Sequence, residues 1–160
     1  MAFDTFMTIP GIPGESQVEG FRDAIEVYSF SWGLSNPATL SGYGFNSSKA
    51  SFAELTIAKR FDKSSPKLMQ ALVAGQRLQS LTLALVIAGP NSGNKPFLTY
   101  QFTPVLVTTC SDSGSGGGDG YPTESLSFAA ARATVTYYPQ NPNGSPGNPV
   151  QFSFDQLTIS

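Results

Sequence analysis

Only one stretch of this 160-residue chain carries a helix signature, and it sits between long alternating segments. It reads Asp62-Lys63-Ser64-Ser65-Pro66-Lys67-Leu68-Met69-Gln70-Ala71-Leu72-Val73-Ala74-Gly75. Ser65 is placed to cap the start, Pro66 fits the first helical position, where a missing N–H costs nothing, and Gly75 suits a left-handed exit. Leu68 and Leu72, with Met69 and Val73 beside them, recur at helical spacing and form a stripe to be buried against a sheet.

The rest of the chain reads as strands over residues 3–9, 25–32, 51–60, 80–87, 97–109, 123–138 and 150–159, separated by Gly-, Pro- and Asn-rich turns. The second carries large apolar residues on both faces and reads as central. Pro104 lacks a ladder donor and predicts an edge or bulge in the fifth. Residues 33–50 form an unusually long polar excursion whose large apolar residues are Leu34, Leu40, Tyr43 and Phe45, which predicts a binding arm. The expectation is one mainly β domain over residues 1–160, a two-sheet barrel or sandwich with one helix packed on it.

Composition bounds the chemistry. Histidine is absent and Cys110 is the single cysteine, so Ser/His and Cys/His nucleophiles, zinc sites and a disulfide framework are all unexpected. Cys110 reads as a small half-buried residue. Glu54 and Asp62, the carboxylates considered for paired acid chemistry, read as solvated strand-end charges. The run 111–120 of Ser, Gly and Asp fits no phosphate-binding register and reads as a hairpin tip. Asn46-Ser47-Ser48 and Asn143-Gly144-Ser145 match a glycosylation pattern but carry little weight with no secretory signal. No enzyme activity and no cofactor are expected.

Nine basic residues against eleven acidic ones, with no basic run, speak against nucleic acid. Neither a signal peptide nor an apolar run long enough for a membrane anchor is read, so synthesis is expected to end in the cytoplasm. Charged residues are 12% of the chain, about half the usual share of roughly 25%. Charge is one means by which β proteins keep their edges apart, so a sparsely charged β chain is a natural assembler.

Four segments taken in order resemble the haemolysin-coregulated protein family, Hcp: Gly14-Glu15-Ser16, Ser29-Phe30-Ser31-Trp32-Gly33, Asp62-Lys63-Ser64-Ser65-Pro66-Lys67-Leu68 and Thr123-Glu124-Ser125-Leu126-Ser127-Phe128. The resemblance implies the inner tube of a type VI secretion system. Six subunits would close into a ring, and rings would stack into a tube inside a contractile sheath, with the VgrG spike at its tip and effector cargo in its lumen. Localisation would then be the extracellular medium or a target cell, reached through that system. On this reading residues 36–49 reach an adjacent subunit or ring and bury Leu40, Tyr43 or Phe45, while Lys67 and Gln70 face the sheath. The last strand lacks a Trp that relatives often carry, and no fused C-terminal effector domain is expected after Ser160. The alternatives are a phage-type tail-tube protein and a secreted carbohydrate- or peptide-binding β module.

Overall fold

The computed structural model describes residues 3–42, 44–47, 49–87, 95–117, 120–142 and 146–157. Strand β1 (Phe3–Thr8) is followed by β2 (Ile25–Val27) and β3 (Ser29–Ser31). Four short strands come next, β4 (Leu34–Ser35), β5 (Ala38–Ser41), β6 (Gly44–Ser47) and β7 (Ser51–Phe52). Then follow β8 (Leu55–Arg60), helix α1 (Ser65–Ala74), β9 (Leu81–Ile87), β10 (Pro96–Ser113), β11 (Thr123–Tyr137) and β12 (Val150–Asp155).

One antiparallel sheet runs β2-β1-β9-β10-β11-β8-β3, with β12 also paired to β11. Because β2 and β3 are nearly one run of chain, this order returns on itself. β2 pairs with β1 through Thr5–Val27 and Met7–Ile25, Tyr28 N–H donates to Ala58 C=O at 2.8 Å, and β3 pairs with β8 through Phe30–Ile57. The expected central strand is thus the seam of a nearly closed barrel. Its outer face is open at Tyr28, which is 65% exposed.

The two long strands, β10 and β11, tie the barrel together by serving different partners along their length. β10 pairs with β9 through Phe102 and with β11 throughout, while β11 gives residues 123–128 to β8 and 132–137 to β12. Pro104 leaves the register with β11 unshifted, Thr103 facing Arg132 and Val105 facing Ala130 on either side of it. The shift falls at Thr108 instead. The expected strand 51–60 is divided, its first two residues pairing with β4 and only Leu55–Arg60 entering the barrel.

Inward positions alternate along the strands, as period-2 geometry requires. Met7, Ile25, Leu55, Ile57, Leu81, Leu83, Phe102, Val105, Leu126 and Phe128 fill the interior. At about 1.5–3 kcal/mol for each large side chain removed from water, this interior is the main force holding the barrel. A smaller cluster covers the outside of β1 and β9, where the Phe6 and Phe21 rings stack at 4.7 Å and Val86, Ala24 and Val18 pack around them. β9 is therefore covered on both faces, which is why it reads as a nearly continuous apolar run interrupted only by Thr82.

Helix α1 lies against β10 with Leu68 and Ala71 buried and Leu72 half-buried. Val73 points to solvent, so the buried stripe runs through Ala71 rather than Val73. Lys67 and Gln70 are exposed. Gly75 takes the left-handed exit at φ 62°. Gly75 N–H donates to Leu72 C=O and Gln76 N–H to Ala71 C=O, the paired bonds of a Schellman ending.

Candidate functional site

Two features break the barrel's regular pattern. The first is the segment expected to be an arm, which the chain builds as a β-ribbon. β4 pairs with β7 and, beyond them, β5 pairs with β6 through Ala38–Ser47, Thr39–Asn46, Leu40–Phe45 and Ser41–Gly44. Neither ladder joins the main sheet. Leu40 is 74% and Phe45 80% exposed, and they sit directly across the ribbon from each other. Tyr43, the third residue expected to make contacts here, lies outside the described residues.

The ribbon's root is rigidly built. Trp32 packs against Phe52, Tyr100 and Phe102 with ring centroids 5.5–5.8 Å apart, and Phe52 touches Phe154 edge-on at 6.1 Å. Gln156 bridges backbone to backbone, accepting from Phe52 N–H at 3.1 Å and donating to Ala130 C=O at 3.2 Å. Ala53 N–H closes the base on Gly33 C=O. A packed foot thus holds the apolar groups of Leu40 and Phe45 out in water.

The second feature is a buried polar node under the start of α1. Glu124 lies directly opposite Lys59 in the β8–β11 ladder and directly opposite Asp112 in the β10–β11 ladder. Both Lys59 and Glu124 point inward and are fully buried. The Lys59 ammonium donates to Ser65 Oγ at 2.8 Å, Asp62 Oδ1 at 3.1 Å and Arg60 C=O at 3.2 Å. Its charge faces Glu124 Oε1 at 2.8 Å, an atom with no hydrogen bond of its own. Burial pushes the Glu124 carboxyl up, but the adjacent Lys59 ammonium and Asp112 outweigh it and hold the group below the usual carboxylate range.

This geometry corrects two expectations. Asp62 is not a solvated charge: it is buried, and its Oδ1 accepts from Ser64 N–H at 2.9 Å, from the Ser64 hydroxyl and from Lys59. Nor does Ser65 cap the helix. Ser64 is the cap residue and Ser65 opens the helix, with its hydroxyl turned inward to accept from Asp62 N–H and Lys59. Pro66 follows it and is exposed. Glu54, the other carboxylate considered, is exposed.

Cys110 closes one side of the node, its thiol donating to Glu124 Oε2 at 3.4 Å. Burial and then the Glu124 charge push that thiol up to about 12, so it is no nucleophile. Cys110, Asp112 and Glu124 bring ligand-type atoms within 4.8 Å of one another, but Lys59 already balances the buried carboxylate. The cluster is an ion-pair node.

Three of the four segments that carry the family resemblance meet here. Gly14 comes so close to the chain at Ala24 that an added Cβ would lie 2.5 Å from its carbonyl oxygen. Ser16 is buried beneath the same turn. Glu15 between them reaches across to accept from Lys63 N–H at 2.7 Å and to pair with Arg60 at 3.5 Å. The segment 62–68 supplies Asp62, Ser64 and Ser65, and the segment 123–128 supplies Glu124. Segments that look unrelated in sequence thus build one corner.

The sequence profile of the family described as "Type VI secretion system effector, Hcp" matches residues 6–137. The chain belongs to the Hcp family. Among Hcp relatives, protein hcp1 of Pseudomonas aeruginosa is 32% identical over 157 residues, covering 97% of this chain and 96% of its own. A solved type six secretion system protein superposes with a TM-score of 0.91 at 34% identity, over 98% of both chains. The crystal structure of Hcp1 from Salmonella typhimurium does so with a TM-score of 0.79 at 26% identity, over 100% of this chain and 99% of that one. This Hcp chain therefore belongs to type VI secretion and has the family's barrel with one packed helix.

Proposed function

We propose that the chain is the subunit of a type VI secretion tube: a homohexameric ring that stacks on its copies, is expelled by a contractile sheath behind a VgrG spike, and carries effector cargo in its lumen. The observation that carries this reading is the ribbon, which holds Leu40 and Phe45 away from the barrel, exposed among the described residues. A ring needs a heterologous contact that closes, and a tube needs a second contact along the axis. The ribbon supplies the axial one, with Leu40, Tyr43 and Phe45 entering the next ring. Strand β12, paired only with β11 among the described residues and exposing Val150 and Phe152, offers an edge for the lateral one. Lys67 and Gln70 on α1 face outward to the sheath. No catalytic role is assigned to any residue.

Light scattering after size exclusion tests the ring. A mass near six times 16.9 kDa is expected, and a monomer or dimer would overturn the proposal. Electron microscopy then tests the axial contact. Leu40→Ser with Phe45→Ser should leave rings intact and abolish tubes, and tubes of unchanged length would remove the ribbon from the interface.

A further inference from the structure

The node beneath α1 is more than a packing detail, because it places charge where the barrel needs apolar groups. A buried ion pair contributes little stability by itself, yet removing one partner leaves an uncompensated charge and is strongly destabilising. The contacts also divide the helix in two. Its later turns are held by Leu68, Ala71 and Leu72, which are apolar and indifferent to pH. Its first turn and the corner leading to it are held by Lys59 and the groups that Lys59 orders, through Ser65, Asp62 and Ser64. We propose that Glu124 and Lys59 form an acid-sensitive latch that clamps the start of α1 to the barrel wall, and that protonating Glu124 frees the helix while the barrel stays closed.

The groups facing Glu124 decide when it opens. From β8 comes Lys59, and from β10 come Cys110 and Asp112. The corner and helix contribute Asp62 and Ser65 through Lys59. Arg60 and Glu15 pair with each other on the outside. Asp112 is pushed up by desolvation and by its hydrogen bond with Glu124. Glu124 is held low, so its contribution is complete above the ordinary carboxylate range and is lost as pH falls through and below that range. The latch therefore withstands mild acid and opens only in stronger acid.

Amide exchange on the assembled protein reads this directly, with each rate corrected for its intrinsic value at that pH. Between pH 7 and about pH 3.5, residues 67–74 should speed up several-fold relative to the β9 amides. Glu124→Gln, which removes the charge and keeps the shape, should show that faster α1 exchange already at pH 7. The latch is overturned if α1 and β9 speed up together, or if the Gln variant matches the parent at pH 7. Should Glu124→Gln fail to fold, the apolar pair Lys59→Met with Glu124→Leu serves instead. Its α1 exchange should respond to acid less than the parent's across the same pH interval, and an undiminished acid response would overturn the latch.

Discussion

Single residues in this chain do different work according to how much of them is shut from water. Leu68 is fully buried against β10, whereas Leu72, one turn on, is only half covered. Leu68→Ala should cost about 2–5 kcal/mol as a core truncation, and Leu72→Ala about 1–2 kcal/mol. Thermal or denaturant unfolding of the two variants checks the order, and an equal loss would mean that Leu72 is better packed than its exposure indicates. Gly14 offers a different kind of sensitivity. Its missing side chain is replaced by backbone at Ala24, so Gly14→Ala forces the 10–24 turn to shift and should lower the melting temperature more than an exposed Gly→Ala change such as Gly33→Ala. Lys59 shows the limit of reading residues one at a time. The alternation Leu55, Ile57, Lys59 and the alternation Glu124, Leu126, Phe128 place both charges inward, so the positions were legible. Which strand lies beside which was not, and without the β8–β11 register Asp62 looked like an ordinary solvated charge.

At the scale of elements, the helix was readable because both of its ends are written locally. Pro66 tolerates a first turn, and Gly75 accepts φ 62° at the exit. Only the cap moved by one residue, since the choice between Ser64 and Ser65 depends on Lys59 and Asp62, which the local sequence does not place. The ribbon was legible as an excursion with apolar tips, yet not as paired strands, because its β signal is diluted by Ser, Gly and Asn. Its pairing is supported from the root by Trp32, Phe52 and Gln156. Gln156→Ala removes the acceptor from Phe52 N–H and the donor to Ala130 C=O and should speed amide exchange at Phe52 several-fold while β9 is unaffected. Unchanged exchange at Phe52 would show that the aromatic cluster alone holds the ribbon. The pair of Arg132 with Asp155 on β12 gives a second, pH-linked probe. Hydrogen bonds from Arg132 hold the Asp155 carboxyl low, so its support of the β11–β12 ladder is present above the usual carboxylate range and fades as pH falls through it.

At the scale of the whole molecule, the sparse charge that first pointed to assembly also predicts what should hold the assembly. Only 12% of residues are charged, and the ribbon offers Leu40 and Phe45 rather than ions. A contact of that kind draws its free energy from apolar area removed from water, which added salt does not screen. Contacts between exposed ion pairs behave oppositely, because the screening length falls from about 10 Å at 0.1 M salt to about 3 Å at 1 M. Ring and tube populations should therefore persist, or grow, as sodium chloride is raised from about 0.1 M to about 1 M, and should weaken on cooling as hydrophobic driving force fades. Sedimentation velocity across both series separates the cases. Dissociation of rings at high salt would assign the lateral contact to charge, and separation of stacked rings at high salt would take the axial contact away from the apolar tips of the ribbon.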